Sequence, residues 1–154
     1  IGTVLARLED AAEELFRADF HRILEGQVRP SSQDHAAATS FPQRTPDDGL
    51  IDWSEPAARI HDFVRAQTHP YPGAFTGRDG ARLTVWQTAL SARTSDATPG
   101  TIVEVSEDGI LVACGRGGCV RIVTVGAPGG PDRPASDVGA RSGDRLGPPA
   151  VPPA

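Results

Sequence analysis

The sequence predicts an α+β chain: one amphipathic helix, a linker, then a small open antiparallel β-barrel led by a second helix. Three observations carry this. Apolar residues recur at helical spacing from Val4 to Ile23. A polar stretch with Pro30, Pro42 and Pro46 follows. Four short strand signals, set off by Gly-containing turns, then fill residues 82–125.

The first helix runs from Thr3 to about Leu24, with Thr3 as the expected N-cap. Val4, Leu5, Leu8, Ala12, Leu15, Phe16 and Ile23 form one apolar stripe, and Glu9, Asp10, Glu13, Glu14 and Arg17 lie opposite. Gly26 supplies the stop. No apolar partner for this stripe follows before Gly49, and the chain starts at Ile1 with no Met anywhere. Both features are expected of a helix cut from a preceding domain.

Residues 27–48 read as a linker, because so long an irregular loop fits a domain boundary better than a compact interior. Leu50-Ile51-Asp52-Trp53 leads into the second helix, Glu55 to Ala66. Ser54 is its expected N-cap and Pro56 falls in the first turn, where a missing N–H does no harm. Ala57, Ile60, Phe63 and Val64 form its buried face, with Trp53 packing back as a staple. His69-Pro70-Tyr71-Pro72-Gly73 makes a rigid turn.

The strands are Arg82–Ala89, Thr101–Val105, Ile110–Ala113 and Val120–Val125. In the first, Leu83, Val85 and Gln87 should share one face, and Thr84, Trp86 and Thr88 the other. Asp79-Gly80, Pro99-Gly100, Asp108-Gly109 and Gly115–Gly118 mark the strand ends. From Ala127 the chain is rich in Gly, Pro, Asp and Arg and is expected to be disordered. The division is thus 1–26, 27–48 as linker, 49–126 as barrel and 127–154 as tail.

Net charge is -5 and every one of the fifteen basic residues is Arg. Between Asp47 and Gly126, ten acidic residues face seven Arg. A nucleic-acid binder should show the opposite balance, since phosphate contacts come from Lys and Arg. No apolar run approaches the ~20 residues that span a bilayer. Two cysteines are too few for a secreted disulfide framework.

The residue types that do chemistry are sparse. His21, His35, His61 and His69 make no metal-ligand spacing and read as structural or solvated. Cys114 and Cys119 flank Gly115-Arg116-Gly117-Gly118, and a metal site would need two further soft ligands. A hairpin turn with two buried thiols explains this run better than a phosphate nest. Trp53, Phe75 and Trp86 are expected in core packing ahead of stacking on a base or sugar.

The series of motifs resembles one family. Pro46-Asp47-Asp48-Gly49-Leu50-Ile51-Asp52-Trp53 is similar to the hinge motif of the methionyl-tRNA formyltransferase superfamily. Ile60–Ala66 and His69–Phe75 resemble the helix and turn that follow it. Val85-Trp86, Pro99-Gly100-Thr101-Ile102 and Asp108–Gly115 occupy the expected strand positions. The likeness extends from about Thr3 to Val125.

The resemblance implies an N-terminal Rossmann-like domain that uses 10-formyltetrahydrofolate and carries a catalytic Asn, His and Asp. An OB-like C-terminal barrel follows it. The helix from Thr3 to Leu24 then corresponds to the last helix of the catalytic domain. This chain has no Asn, so the Asn-x-His-Pro motif is absent and the segment is expected to be inactive alone, with no donor bound by it. Pro72-Gly73-Ala74-Phe75 resembles the turn of enzymes that formylate amino-sugars or hydroxyornithine.

With the charge balance, the resemblance implies a small-molecule amine acceptor. The alternatives are a methionyl-tRNA formyltransferase C-terminal domain aiding initiator-tRNA binding, and a free-standing OB-like binding module. Arg44, Asp47, Trp53, Pro72 and Gly73 are the candidate substrate or interdomain residues. No catalytic, cofactor-binding or metal residue is assigned. A cytoplasmic setting and a possible homodimer complete the expectation.

Overall fold

The computed structural model describes residues 1–127 and 130–150; expectations for 128–129 and 151–154 lie outside the described residues. The chain divides into two compact units, Ile1–Arg44 and Thr45–Ala154.

The first unit is built on helix α1, Gly2–Leu24. It starts earlier than expected, so Thr3 lies inside it and the carbonyl of Ile1 accepts from the Val4 and Leu5 N–H groups. Gly26 ends it at φ 69°, a left-handed value that glycine adopts without a Cβ penalty. Phe16 and Phe20 stack with centroids 4.5 Å apart. Arg17–Glu13 and Arg22–Asp19 pair along the surface. A short 3-10 turn at His35–Ala37 is capped by Asp34, whose Oδ1 accepts the Ala36 N–H at 3.0 Å.

The second unit opens on a 3-10 turn at Pro46–Gly49 and continues to helix α2, Ala57–Gln67. Pro56 takes the N-cap position expected of Ser54. Ser54 instead donates its N–H and hydroxyl to Asp52, which holds the Asp52 carboxyl below the usual range. Ile60 and Val64 are buried, and Ala57 and Phe63 pack against the same core. Trp53 joins that core, where its Nε1–H donates to Thr76 Oγ1 at 3.0 Å.

Six antiparallel strands follow: β1 Ala74–Arg78, β2 Ala81–Thr94, β3 Ile102–Ser106, β4 Gly109–Ala113, β5 Gly118–Gly126 and β6 Arg133–Pro134. Five run in the order β1-β2-β5-β4-β3, with β6 against β5. All four expected strands are present. β1 and β6 carry no alternating apolar signal.

The β1–β2 hairpin turns at Asp79 (φ 51°) and Gly80 (φ 79°), the double positive φ of a tight two-residue turn. Arg116 (φ 58°) and Gly117 (φ 73°) repeat this between β4 and β5. The Gly-rich run is therefore a hairpin. β2 shifts register around Gln87 and again between Ser91 and Thr94. Such irregularities bend a long strand. They also break the expected alternation: Leu83, Thr84, Val85 and Thr88 are all buried while Gln87 is exposed.

β1 and β3 are the two edges of this sheet, and the segment expected to be disordered lies between them. Gly143 and Leu146 donate to the carbonyls of Ile102 and Gly100, and Ile102 donates to Asp144. Gly147 exchanges backbone hydrogen bonds with Gly77, and Ala150 donates to Gly80. Leu146 and Ala135 are buried in the core. Arg78 fixes the approach, donating to the carbonyls of Val138 and Gly139. The disordered-tail expectation is thus corrected for residues 130–150. Backbone pairing and two apolar anchors hold this stretch, so its Gly and Pro content misleads.

Candidate functional site

Three surface features of the second unit bring polar groups together, two of them against aromatic rings. The first surrounds the Thr45–Gly49 turn. Thr45 donates both N–H and hydroxyl to Asp48 Oδ2, at 2.6 and 3.1 Å, which closes the turn on itself. Arg82 reaches it from β2. Its guanidinium lies 3.6 Å from the Phe75 ring centroid, donates to the Pro46 carbonyl at 3.4 Å, and stands 4.0 Å from the Asp47 carboxylate. The Ile51 N–H donates to the Phe75 carbonyl at 2.8 Å.

Gly49 and Gly73 meet just below. A Cβ on Gly49 would sit 2.7 Å from the Gly73 carbonyl oxygen. A Cβ on Gly73, at φ 87°, would fall 2.5 Å from Thr84 Cγ2 and 2.6 Å from the Trp86 ring. Beside this contact, a groove of about 480 Å³ is lined by Leu50, Ile51, Ile60, Phe63 and Ala66, with Asp52 and Asp62.

The second feature centres on Trp86. His69 stacks on the indole, centroids 3.8 Å apart, and its Nε2 lies 3.1 Å from Asp132 Oδ2. The third is an ion network on β2, β3 and β5. Glu104 takes Arg93 on one oxygen and Arg121 on the other, and Arg121 also donates to Ser106 at 2.8 Å. The Arg121 hydrogen bond, with Arg93 adding charge, holds the Glu104 carboxyl below its usual range.

The five candidate residues separate in this geometry. Asp47, exposed, joins the Arg82 contacts, and Gly73 lies beneath them. Trp53 is in the core, as its packing reading expected. Pro72 is exposed beside Gly73. Arg44 is exposed and belongs to the first unit. Phe75 is buried beneath Arg82, and Trp86 is half-buried against His69.

Arg82 was not singled out by the sequence. Its signal is cross-strand: Phe75 opposes Thr84 and Gly77 opposes Arg82, which makes Phe75 and Arg82 diagonal neighbours. Reading the Asp79-Gly80 hairpin backwards into β1 would have exposed that pair.

Cys114 and Cys119 are buried free thiols near the ends of β4 and β5. Burial pushes the Cys114 thiol up to about 12 and raises Cys119 as well. His61 Nδ1 lies 2.9 Å from Thr88 Oγ1, a packing contact between α2 and β2. Among the described residues, no group of three or more His, Cys, Asp or Glu could hold a metal ion. No described helix is long and apolar enough to cross a membrane.

The family described as "Formyl transferase, C-terminal domain" matches residues 44–142. That match begins at the boundary between the two units and ends just before the segment that bridges β1 and β3. Among solved structures, HypX from Aquifex aeolicus in complex with tetrahydrofolic acid aligns with a TM-score of 0.60 and 16% identity. The alignment covers 77% of this chain and 21% of that one. A multiply substituted HypX variant aligns at 0.62 and 16% identity, over 84% of this chain and 24% of that one. The chain thus spans about a fifth to a quarter of HypX, and at this identity the likeness is one of fold.

Proposed function

This chain belongs to the formyl transferase C-terminal domain family, and on that premise we propose that it is the C-terminal portion of a 10-formyltetrahydrofolate-dependent enzyme that N-formylates a small amine. The amine is of the amino-sugar or hydroxylated-ornithine type. The HypX complex with tetrahydrofolic acid supports a folate donor for the intact enzyme. The catalytic Asn, His and Asp of the resemblance belong to a preceding domain. No formyl-transfer step is assigned to residues of this segment.

One observation carries the small amine over tRNA. Arg59, Arg65, Arg78, Arg82, Arg93 and Arg121 each lie 4.0 Å or less from a carboxylate of the same unit. A phosphate backbone would have to displace those carboxylates before it gained a cation. Net gain on RNA binding comes from neutralised phosphates, so prepaired guanidinia contribute little. A small amine makes no such demand on the barrel.

The test uses 10-formyltetrahydrofolate labelled in the formyl carbon. The isolated chain should transfer no label to amino-sugars, hydroxyornithine or charged initiator tRNA. Turnover above background would place catalysis in this segment and overturn the assignment. The longer protein that contains it should label a small amine. Labelling of initiator tRNA in preference to every amine would overturn the acceptor class.

A further inference from the structure

We infer that Arg82 is a positioning residue: it clamps the Thr45–Gly49 turn to β1 and so fixes where the chain passes into the C-terminal unit. Its side chain touches both the turn and β1, within the C-terminal unit. The face of the guanidinium covers Phe75 of β1 at 3.6 Å. Its edge meets the Pro46 carbonyl at 3.4 Å and the Asp47 carboxylate at 4.0 Å.

Each contact uses a different property of Arg. The flat delocalised cation suits the ring, and the fork of N–H donors suits a carbonyl and a carboxylate together. Lys could keep the first contact but not the geometry of the other two. Two neighbouring features make the clamp effective. The turn is already stiffened by the bonds from Thr45 to Asp48. Downstream, Ile51 is tied to the Phe75 carbonyl, and Gly49 packs on Gly73 with no room for a side chain.

The bland alternative is one more surface ion pair of little consequence. The Asp47 side chain is 93% exposed, so the carboxylate alone would support that view. The Arg82 side chain is only 28% exposed, and its ring and carbonyl contacts do not depend on Asp47. The clamp should therefore survive Asp47→Asn and fail on Arg82→Gln.

Trypsin reads the clamp directly. Within residues 27–49 only Arg29 and Arg44 are cleavable types, and Arg29 precedes Pro30, which trypsin does not cut. The Arg44–Thr45 bond lies at the edge of the clamped turn. Arg44 is itself exposed, but a protease must also fit the residues after the cut, so opening of the Thr45–Gly49 turn raises the rate.

Arg82→Gln should raise cleavage at Arg44 about tenfold, Arg82→Lys should raise it less, and Asp47→Asn by under about threefold. Cleavage after Arg121, inside β5, should stay unchanged, which separates unclamping from general unfolding. Arg93→Gln, which breaks a different ion pair on the same strand, is the control and should leave Arg44 cleavage as it was. An Arg82→Gln rate at Arg44 within about twofold of the parent, or an equal rise at Arg121, overturns the inference.

A second readout rests on the formyltransferase reading above. In the longer protein, Arg82→Gln should lower kcat while KM stays within about twofold, with part of the loss recovered by Lys, because a positioning residue acts through the geometry it holds. A change in KM alone overturns the positioning role. Absence of formyl transfer by the unsubstituted protein defeats the functional reading, and the trypsin result still decides the clamp.

Discussion

Gly73 has the look of a site residue in the sequence and behaves as a packing residue in the fold. Its φ of 87° and the nearness of Thr84 and Trp86 leave no place for a methyl group. Gly73→Ala should cost about 2–5 kcal/mol, from left-handed strain of roughly 1–2 and core overlap of roughly 1–3. Urea unfolding measures this, and a loss under about 0.5 kcal/mol would remove Gly73 from the core account. Cys114 makes a pH prediction. Burial raises its thiol to about 12 in the folded state. Above roughly pH 8.5 the unfolded chain releases this proton while the folded chain keeps it, so stability falls as pH rises. The contribution is whole below that pH and shrinks by up to about 1.4 kcal/mol per unit toward pH 12. Cys119, also raised, adds in the same direction. Replacing Cys114 by Val should flatten the decline of Tm between about pH 8.5 and 10.5, and an unchanged slope would assign the decline elsewhere.

Among the elements, the segment Gly143–Ala150 is the least legible and the most consequential. Hydropathy sees one Leu among Gly, Pro, Asp and Arg. The fold instead uses backbone groups that every residue carries, bonding Gly143, Asp144 and Leu146 to the β3 side and Gly147 and Ala150 to the β1 side. Composition cannot report such pairing, because it depends on two edges brought together by the rest of the sheet. Leu146→Ala should therefore cost about 2–4 kcal/mol in urea unfolding, as for a buried leucine whose site cannot fully collapse. A loss below about 0.5 kcal/mol would return the segment to the status of a loose tail. β1 hides for a related reason. Ala-Phe-Thr-Gly-Arg has no alternation, and its buried Thr76 is satisfied by Trp53 and Gly147. Where periodicity and turn chemistry act locally, they read true: α2, β2 through β5 and the β4–β5 hairpin follow from spacing and Gly placement, and Asp79-Gly80 marks the turn before β2. The candidate site was legible only in part. Asp47 and Gly73 could be singled out from a motif, but Arg82 needed the β1–β2 register that places it diagonal to Phe75.

For the molecule as a whole, charge is the property with functional reach. Ten acidic residues and seven Arg between Asp47 and Gly126 set a negative balance, and the fold pairs six of those Arg with carboxylates. Each pair is individually weak at the surface. Together they leave Arg116, at the β4–β5 turn, as the Arg of that span outside these pairs. Binding to RNA would rest on released counterions, one for each phosphate neutralised. With most cations of the barrel span prepaired and a net charge of -5 on the chain, the salt dependence should be shallow and the affinity poor. The isolated chain should bind initiator tRNA with a Kd no tighter than about 10 μM near 150 mM salt, inside the range of non-specific binding. The slope of log K against log salt should be about -1 or shallower in magnitude. Fluorescence anisotropy with labelled tRNA, at several salt concentrations, measures both quantities. A Kd below about 1 μM with a slope near -4 would show a phosphate-binding face that the ion pairs do not suppress, and would return tRNA to first place as the acceptor.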